Sequence, residues 1–146
     1  VLDLYAGVGL FSIALARAGL LEITAVEGDR ISGIDLQHNA RSAANSADAV
    51  GVVHDSVEHF LLASFSRPGR PGTVIVDPPR TGISAEAMTS LVKTGAPLLV
   101  YVSCDPATMA RDARRLLDGG YRLESLRAFD LFPNTPHVEC VGVFVG

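Results

Sequence analysis

Arg122-Leu123-Glu124-Ser125-Leu126-Arg127-Ala128-Phe129 and then Val138-Glu139-Cys140-Val141-Gly142-Val143-Phe144-Val145 close the chain. Both runs read as strands, and no helix lies between them. Strands joined by a loop without a crossover helix must run antiparallel. Everything upstream alternates strand with helix, which predicts parallel strands in an α/β layered fold. Five parallel strands ending in an antiparallel hairpin is a distinctive layout. It differs from the dinucleotide-binding fold, which normally continues with parallel units.

Working back from that hairpin, Ala96–Val102 is an apolar run suited to a strand covered on both faces. The helix after it takes Asp105 as its N-cap and Pro106 as its first residue. It carries Ala110, Ala113 and Leu117 on its expected core face and ends at Gly119-Gly120. Thr73–Val76 is the fourth strand, and Ser84 suits the cap of a helix to about Lys93. Residues 67–72, Arg-Pro-Gly-Arg-Pro-Gly, read as a surface loop. Val50–His54 is the third strand, with Asp55 or Ser56 capping a short helix through Leu62. Ile23–Val26 precedes a helix from about Arg30 to Ala44. Val1–Leu4 precedes a glycine turn and a helix from about Leu10 to Ala18, closed by Gly19.

The 146 residues, 48% of them hydrophobic, suit one globular domain over residues 1–146. No apolar run is long enough to span a bilayer, and the beginning of the chain lacks a signal-peptide layout. The two cysteines, Cys104 and Cys140, make neither a disulfide framework nor a metal-ligand spacing. These features predict a cytoplasmic, reducing setting with no membrane and no metal, and a monomer. The net charge of −4 argues against this piece alone gripping a phosphate backbone. Because the chain opens directly on a strand without an initiator methionine, we expect a domain excised from a longer protein.

Asp3-Leu4-Tyr5-Ala6-Gly7-Val8-Gly9 forms the first strand-to-helix turn. Gly7 and Gly9 permit a tight turn and close approach to a ligand at the switch in strand order. Ser12 stands where a dinucleotide fingerprint has its third glycine, which disfavours pyrophosphate. Glu27 ends the second strand about twenty residues on, where an acid meets ribose hydroxyls. The competing reading is a solvated strand-end acid. Asp55, ending the third strand, suits an adenine amino group or, equally, a helix N-cap. A glycine turn with a ribose acid and no pyrophosphate fingerprint suits S-adenosylmethionine better than NAD.

Asp77-Pro78-Pro79-Arg80 follows the fourth strand, and the prolines hold the flanking acid and base rigidly. Cys104 follows the fifth strand, next to the positive end of a helix. That position favours the thiolate, although a small buried cysteine is the competing reading. Asp77 and Cys104 end neighbouring strands and should face one crevice. Glu139 opens the last strand beside an apolar run and could be partly desolvated with a raised pKa. A solvated strand-start acid is its alternative. His137 reads mainly as a structural or solvent-facing residue, and Cys140 as core.

The segments DLYAGVGLFSIALA, VDPPR, YVSCDPATMARD and FPNTPHVE resemble, in order, the catalytic domain of the RNA uracil-C5 methyltransferases, the 5-methyluridine enzymes of tRNA and rRNA. The resemblance covers essentially the whole chain. It implies S-adenosylmethionine as methyl donor and a Rossmann-like sheet of order 3-2-1-4-5-7-6 with strand 7 antiparallel. It also implies that Tyr5, Glu27 and Asp77 contact the cofactor, that Cys104 is the nucleophile and that Glu139 is the base. Ala6 replaces a frequent cysteine. Leu10 replaces an asparagine that contacts the cofactor in relatives, so that contact is in doubt. The family's N-terminal portion normally supplies RNA-binding elements and a further cofactor contact. Without it the isolated piece is expected to fold marginally and bind RNA poorly.

The expected reaction methylates C5 of an unstacked uridine in tRNA or rRNA through a covalent bond between Cys104 and C6. Arg80 is expected to stabilise the enolate or orient the nucleotide. The rivals are an exocyclic amino methyltransferase, which needs no cysteine, and a catalytically inactive cofactor- and RNA-binding module. A nicotinamide-dependent oxidoreductase is more distant.

Overall fold

The computed structural model of the protein describes residues 1–43, 49–64, 69–131, 133–135 and 138–146. His137, with parts of the 67–72 loop and of the FPNTPHVE segment, lies outside the described residues. The strands have the order β3-β2-β1-β4-β5-β7-β6, as the family resemblance implies. The chain divides into two compact units, Val1–Arg67 and Pro68–Gly146.

The first unit contains β1 (Leu2–Leu4), α1 (Leu10–Arg17), β2 (Ile23–Glu27), α2 (Arg30–Ala43), β3 (Val50–His54) and α3 (Val57–Ser64). β1 pairs with β2 and β2 with β3, all parallel, in registers that set Leu4 beside Val26 and Glu27 beside His54. The strands are short and apolar because helices cover them: Leu36 and Ala40 of α2 pack with Ile23, Ala25 and Val50. Burying one leucine such as the fully covered Leu36 contributes about 1.5–3 kcal/mol. α1 stops one residue earlier than the sequence suggested, with Ala18 at its C-cap and Gly19 at φ +92°.

The second unit contains β4 (Thr73–Val76), α4 (Ala85–Thr94), β5 (Leu98–Ser103), α5 (Pro106–Asp118), β6 (Arg122–Phe129) and β7 (Glu139–Val145). β4 and β5 are parallel, while β7 runs antiparallel to both β5 and β6. Ser84 and Asp105 cap α4 and α5 as expected, accepting from the amides of Ala87 and Thr108. β6 is exposed along its whole length. Arg122, Glu124 and Arg127, with a register shift between Leu123 and Ser125, protect that edge against pairing with another chain.

The core face of α5 differs from the Ala110, Ala113 and Leu117 stripe expected from the sequence. The core face of α5 is Met109, Asp112 and Leu116, whereas Ala110 and Leu117 are exposed. The helix is rotated by about one position from the purely apolar stripe because Asp112 is satisfied inside. Its carboxylate accepts from the Tyr101 hydroxyl and the Ile83 amide, each at 2.8 Å, so a charged residue can occupy a core position.

Candidate active site

In the first unit, Tyr5, Gly7, Glu27 and Asp55 all lie at the carboxyl ends of the parallel strands. Ala6 extends the β1 ladder by donating to the Val26 carbonyl at 3.0 Å. The chain then turns through Tyr5 at φ +60°, Gly7 at +55° and Gly9 at +96°. A tyrosine in the left-handed region is strained, and such strain concentrates at functional positions. A Cβ on Gly9 would come within 2.7 Å of Leu36, whereas one on Gly7 would meet nothing within 4 Å. Gly9 is therefore favoured by its left-handed φ, with crowding from Leu36 and Ile13 added to it. Gly7 is required by its φ and leaves open space above the turn.

The Glu27 carboxylate is oriented by the backbone. One oxygen accepts from the Gly7 amide at 2.7 Å, and the other from the Asp29 amide at 2.6 Å. Each oxygen retains a further acceptor position, the arrangement a vicinal diol requires. Asp55 is next to it, donating its amide to the Glu27 carbonyl at 3.1 Å. Its carboxylate takes the Ser56 amide at 2.8 Å and the His59 ring at 2.5 Å. The His59 hydrogen bond, with smaller help from Ser56, holds the Asp55 carboxyl below the usual carboxylate range. The cap of α3 is Ser56, whose hydroxyl accepts from the His59 amide at 3.2 Å. Asp55 is thus relieved of that task. Leu10, at the doubtful contact position, is exposed.

One residue beside this turn, Asp3 of β1, was not singled out from the sequence. Asp3 is completely buried, and one of its oxygens accepts from both the amide and the hydroxyl of Ser12, at 3.1 and 2.5 Å. Its other oxygen has no hydrogen-bond partner. Burial pushes the Asp3 carboxyl up, against the lowering effect of Ser12. An acid in the middle of the apolar Val1-Leu2-Asp3-Leu4 was the available signal.

In the second unit, Asp77 follows β4, Cys104 follows β5 and Glu139 begins β7. The parallel β4–β5 register ends at Val76 beside Tyr101. The antiparallel β5–β7 register ends with Ser103 beside Cys140. Cys104 directly follows the last paired residue of β5, and Glu139 directly precedes Cys140 on β7. Both residues are partly exposed, as is Asp77, while Pro78 is buried and Arg80 exposed. Cys140 is buried, and burial, with a contribution from the Glu139 charge, pushes its thiol up. Of the two thiols, Cys104 is the accessible one.

Cys104 is bracketed by its neighbours. The Asp105 amide donates to the Ser103 hydroxyl at 3.1 Å, which donates back to the Asp105 carbonyl. The Asp105 side chain accepts from the Thr108 amide at 2.7 Å. Hydrogen bonds from Thr108, with a smaller effect of the Arg80 charge, hold the Asp105 carboxyl below its usual range. Cys104 therefore sits immediately before a capped helix N-terminus, as the sequence suggested. Among the described residues, no cluster of His, Cys, Asp and Glu is placed to hold a metal ion, and no helix is long and apolar enough to cross a membrane.

The profile of the tRNA (uracil-5-)-methyltransferase family matches residues 1–146. The chain belongs to that family. It is 38% identical to an RNA methyltransferase of Streptococcus pyogenes serotype M3, covering 99% of this chain and 31% of that protein. It is 41% identical to one from Streptomyces avermitilis, covering 97% of this chain and 32% of the relative. Among solved structures, the Pyrococcus abyssi tRNA (uracil-54, C5)-methyltransferase in complex with S-adenosyl-L-homocysteine superposes with a TM-score of 0.83 at 34% identity. That match covers 99% of this chain and 33% of the archaeal one. Magnesium protoporphyrin IX methyltransferase from Synechocystis, with bound S-adenosylmethionine, shares the fold at a TM-score of 0.71 and 17% identity. The chain thus spans about a third of the length of its family relatives.

Proposed function

We propose that the chain is the catalytic domain of an S-adenosylmethionine-dependent RNA methyltransferase that modifies C5 of a uridine in tRNA or rRNA. The observation that carries this reading is an accessible thiol, Cys104, directly after the last paired residue of β5 and before a capped helix N-terminus, with Glu139 next to Cys140, the residue paired with Ser103. An amino-group methyltransferase needs no such pair, and an inactive module has no use for it.

Glu27, Tyr5, Gly7 and Asp55 fit the adenosine part of the cofactor. Glu27 presents two backbone-oriented oxygens to the ribose, the open space at Gly7 admits a close approach, and Asp55 serves the adenine amino group. Asp77 is assigned to the cofactor as well. When bound, S-adenosylmethionine supplies an electrophilic methyl group on a sulfonium.

Uracil C5 is a poor carbon nucleophile. The Cys104 thiolate forms a bond to C6, and the C5=C6 π pair moves into the ring carbonyl as an enolate. Arg80 stabilises that enolate or orients the nucleotide. Once C5 carries the methyl group, Glu139 takes the C5 proton. The C–H electron pair restores C5=C6, and the C6–S bond breaks to return the thiolate. The uridine must leave its stack to be reached, so a loop or flipped nucleotide is the expected target.

The test uses the full-length protein with 5-fluorouridine RNA, whose C5 fluorine cannot leave as a proton. Wild type should form a covalent adduct stable to denaturing electrophoresis, and Cys104→Ala should form none and transfer no methyl group. Glu139→Gln should accumulate the methylated adduct on ordinary RNA. Normal turnover by Cys104→Ala would overturn the assignment.

A further inference from the structure

The segment after the two prolines, residues 80–83, belongs to no helix or strand, so its backbone polar groups need partners elsewhere. The Gly82 amide donates within the loop to the Pro79 carbonyl at 2.7 Å, and four others find partners on one face of α5. The Thr108 hydroxyl donates to the Arg80 carbonyl at 3.0 Å, and Arg111 to the Thr81 carbonyl at 2.8 Å. Arg115 donates to the Ile83 carbonyl at 3.2 Å, and the Ile83 amide donates to Asp112 at 2.8 Å. Thr108, Arg111, Asp112 and Arg115 recur at the spacing that shares a helix face. Asp112 also ties the two arginines together, at 2.9 and 3.4 Å.

Contact between loop and helix is direct. Gly82 is buried at φ +77°, and a Cβ there would fall 2.4 Å from Arg111 and Asp112 and 2.5 Å from Thr108. No side chain can separate the two. The same helix begins at Asp105–Pro106, directly after Cys104. The thiol therefore directly precedes the element that grips, four to eleven residues after Cys104, the segment that presents Arg80.

We propose that Thr108 and Arg111 are positioning residues that hold Arg80 in register with Cys104, so that α5 couples the nucleophile to the group stabilising the developing negative charge on the ring. This inference rests on the function proposed above. Misplacing a charge stabiliser slows the chemical step while leaving cofactor binding alone, because catalysis depends on preorganised geometry. Thr108 is the sharper probe: the amide contact that caps α5 survives in Thr108→Val, while the hydroxyl's bond to the Arg80 carbonyl and its weaker influence on Asp105 are removed.

The experiment is a double-mutant cycle in the full-length protein, reading the rate of adduct formation with 5-fluorouridine RNA and, separately, S-adenosylmethionine affinity. Thr108→Val should slow adduct formation by roughly 3- to 10-fold, the effect of one lost hydrogen bond. It should leave cofactor affinity unchanged, and Thr108→Ser should restore the rate. In an Arg80→Ala background Thr108→Val should have no further effect, because its action passes through Arg80. Additive losses, or equal losses in adduct rate and cofactor affinity, would overturn the positioning role. Absence of any adduct with wild type would overturn the proposed function itself, a distinguishable outcome that removes this inference too.

Discussion

Asp3 in the first unit and Asp112 in the second are both completely buried, yet their carboxylates are used in opposite ways. Asp112 is saturated. It accepts from a buried tyrosine, a backbone amide and two arginines, and every bond fixes a piece of chain around it. Asp3 places both of its bonds on one oxygen, both from Ser12, and leaves the other oxygen without a partner. A buried acceptor left unsatisfied costs stability that the fold does not recover there. The saturated acid lies where a loop must be held still. The unsaturated acid lies in β1, two residues before Tyr5 and the left-handed turn that follows it. A buried carboxyl thus ties elements together in one unit, while in the other it is held by a single residue, and burial disfavours its ionised form.

The strongest test of that contrast is Asp112→Asn. The amide forfeits the charge that pairs both arginines and turns a donor toward the donors of Ile83 or Tyr101. Removing one member of a buried ion pair costs about 3–5 kcal/mol, and the half-exposed arginines can regain water, so about 3 kcal/mol is expected. Denaturant unfolding of the full-length protein measures it. A loss under about 1 kcal/mol would mean that Asp112 is less committed than its contacts indicate.

That residue also shows what the sequence could and could not reveal. The strand–helix alternation and the closing hairpin were legible because hydrophobic period and turn chemistry agree at nearly every element, and Ser84 and Asp105 cap as their types predict. Cys104 and Asp77 could be placed at strand ends from the same pattern. The family resemblance supplied the strand order, which periodicity does not encode. The face of α5 was misjudged because an aspartate reads as polar until its partners, 11 and 29 residues away, are known. Asp3 did carry a signal, an acid inside an apolar strand, but its partner Ser12 lies in the next element and only the fold brings the two together. Ser56 rather than Asp55 caps α3, a choice between adjacent good caps that depends on where the histidine at 59 turns. Relations between distant residues, such as Ser103 beside Cys140, require the register, and a register is a property of paired strands.

A smaller effect separates the members of the Asp112 network. Tyr101→Phe removes one buried hydroxyl donor and leaves Asp112 with the Ile83 amide and both arginines. The expected loss is about 1 kcal/mol, typical of one hydrogen bond whose partner keeps others. Thermal unfolding followed beside Asp112→Asn would rank the two. If Tyr101→Phe equals the aspartate substitution, the tyrosine bond dominates and the arginines contribute little.

The smallest net change is expected at Asp3. Asp3→Asn keeps a carbonyl for the Ser12 amide and hydroxyl, removes the buried charge and leaves an amide hydrogen where the unpartnered oxygen was. Gain and loss oppose each other, so stability at neutral pH should lie within about 1 kcal/mol of wild type. The pH dependence carries the information. Burial raises the folded-state carboxyl above 3.8, so the folded protein holds this proton more tightly than the unfolded chain. Asp3 therefore imposes no penalty below 3.8. Its penalty grows as pH rises toward the folded pKa and is constant above it. The stability difference between Asp3→Asn and wild type should shift in favour of the variant across that window and then level off. Asp105 has the opposite sign: its lowered carboxyl stabilises the fold above the unfolded pKa and loses that effect as pH falls through the folded one. Subtracting variant from wild type at each pH isolates Asp3, because Asp105 and the other caps are common to both. A difference that moves the other way would mean that the second oxygen of Asp3 is paired in solution, and that the two buried acids are of one kind after all.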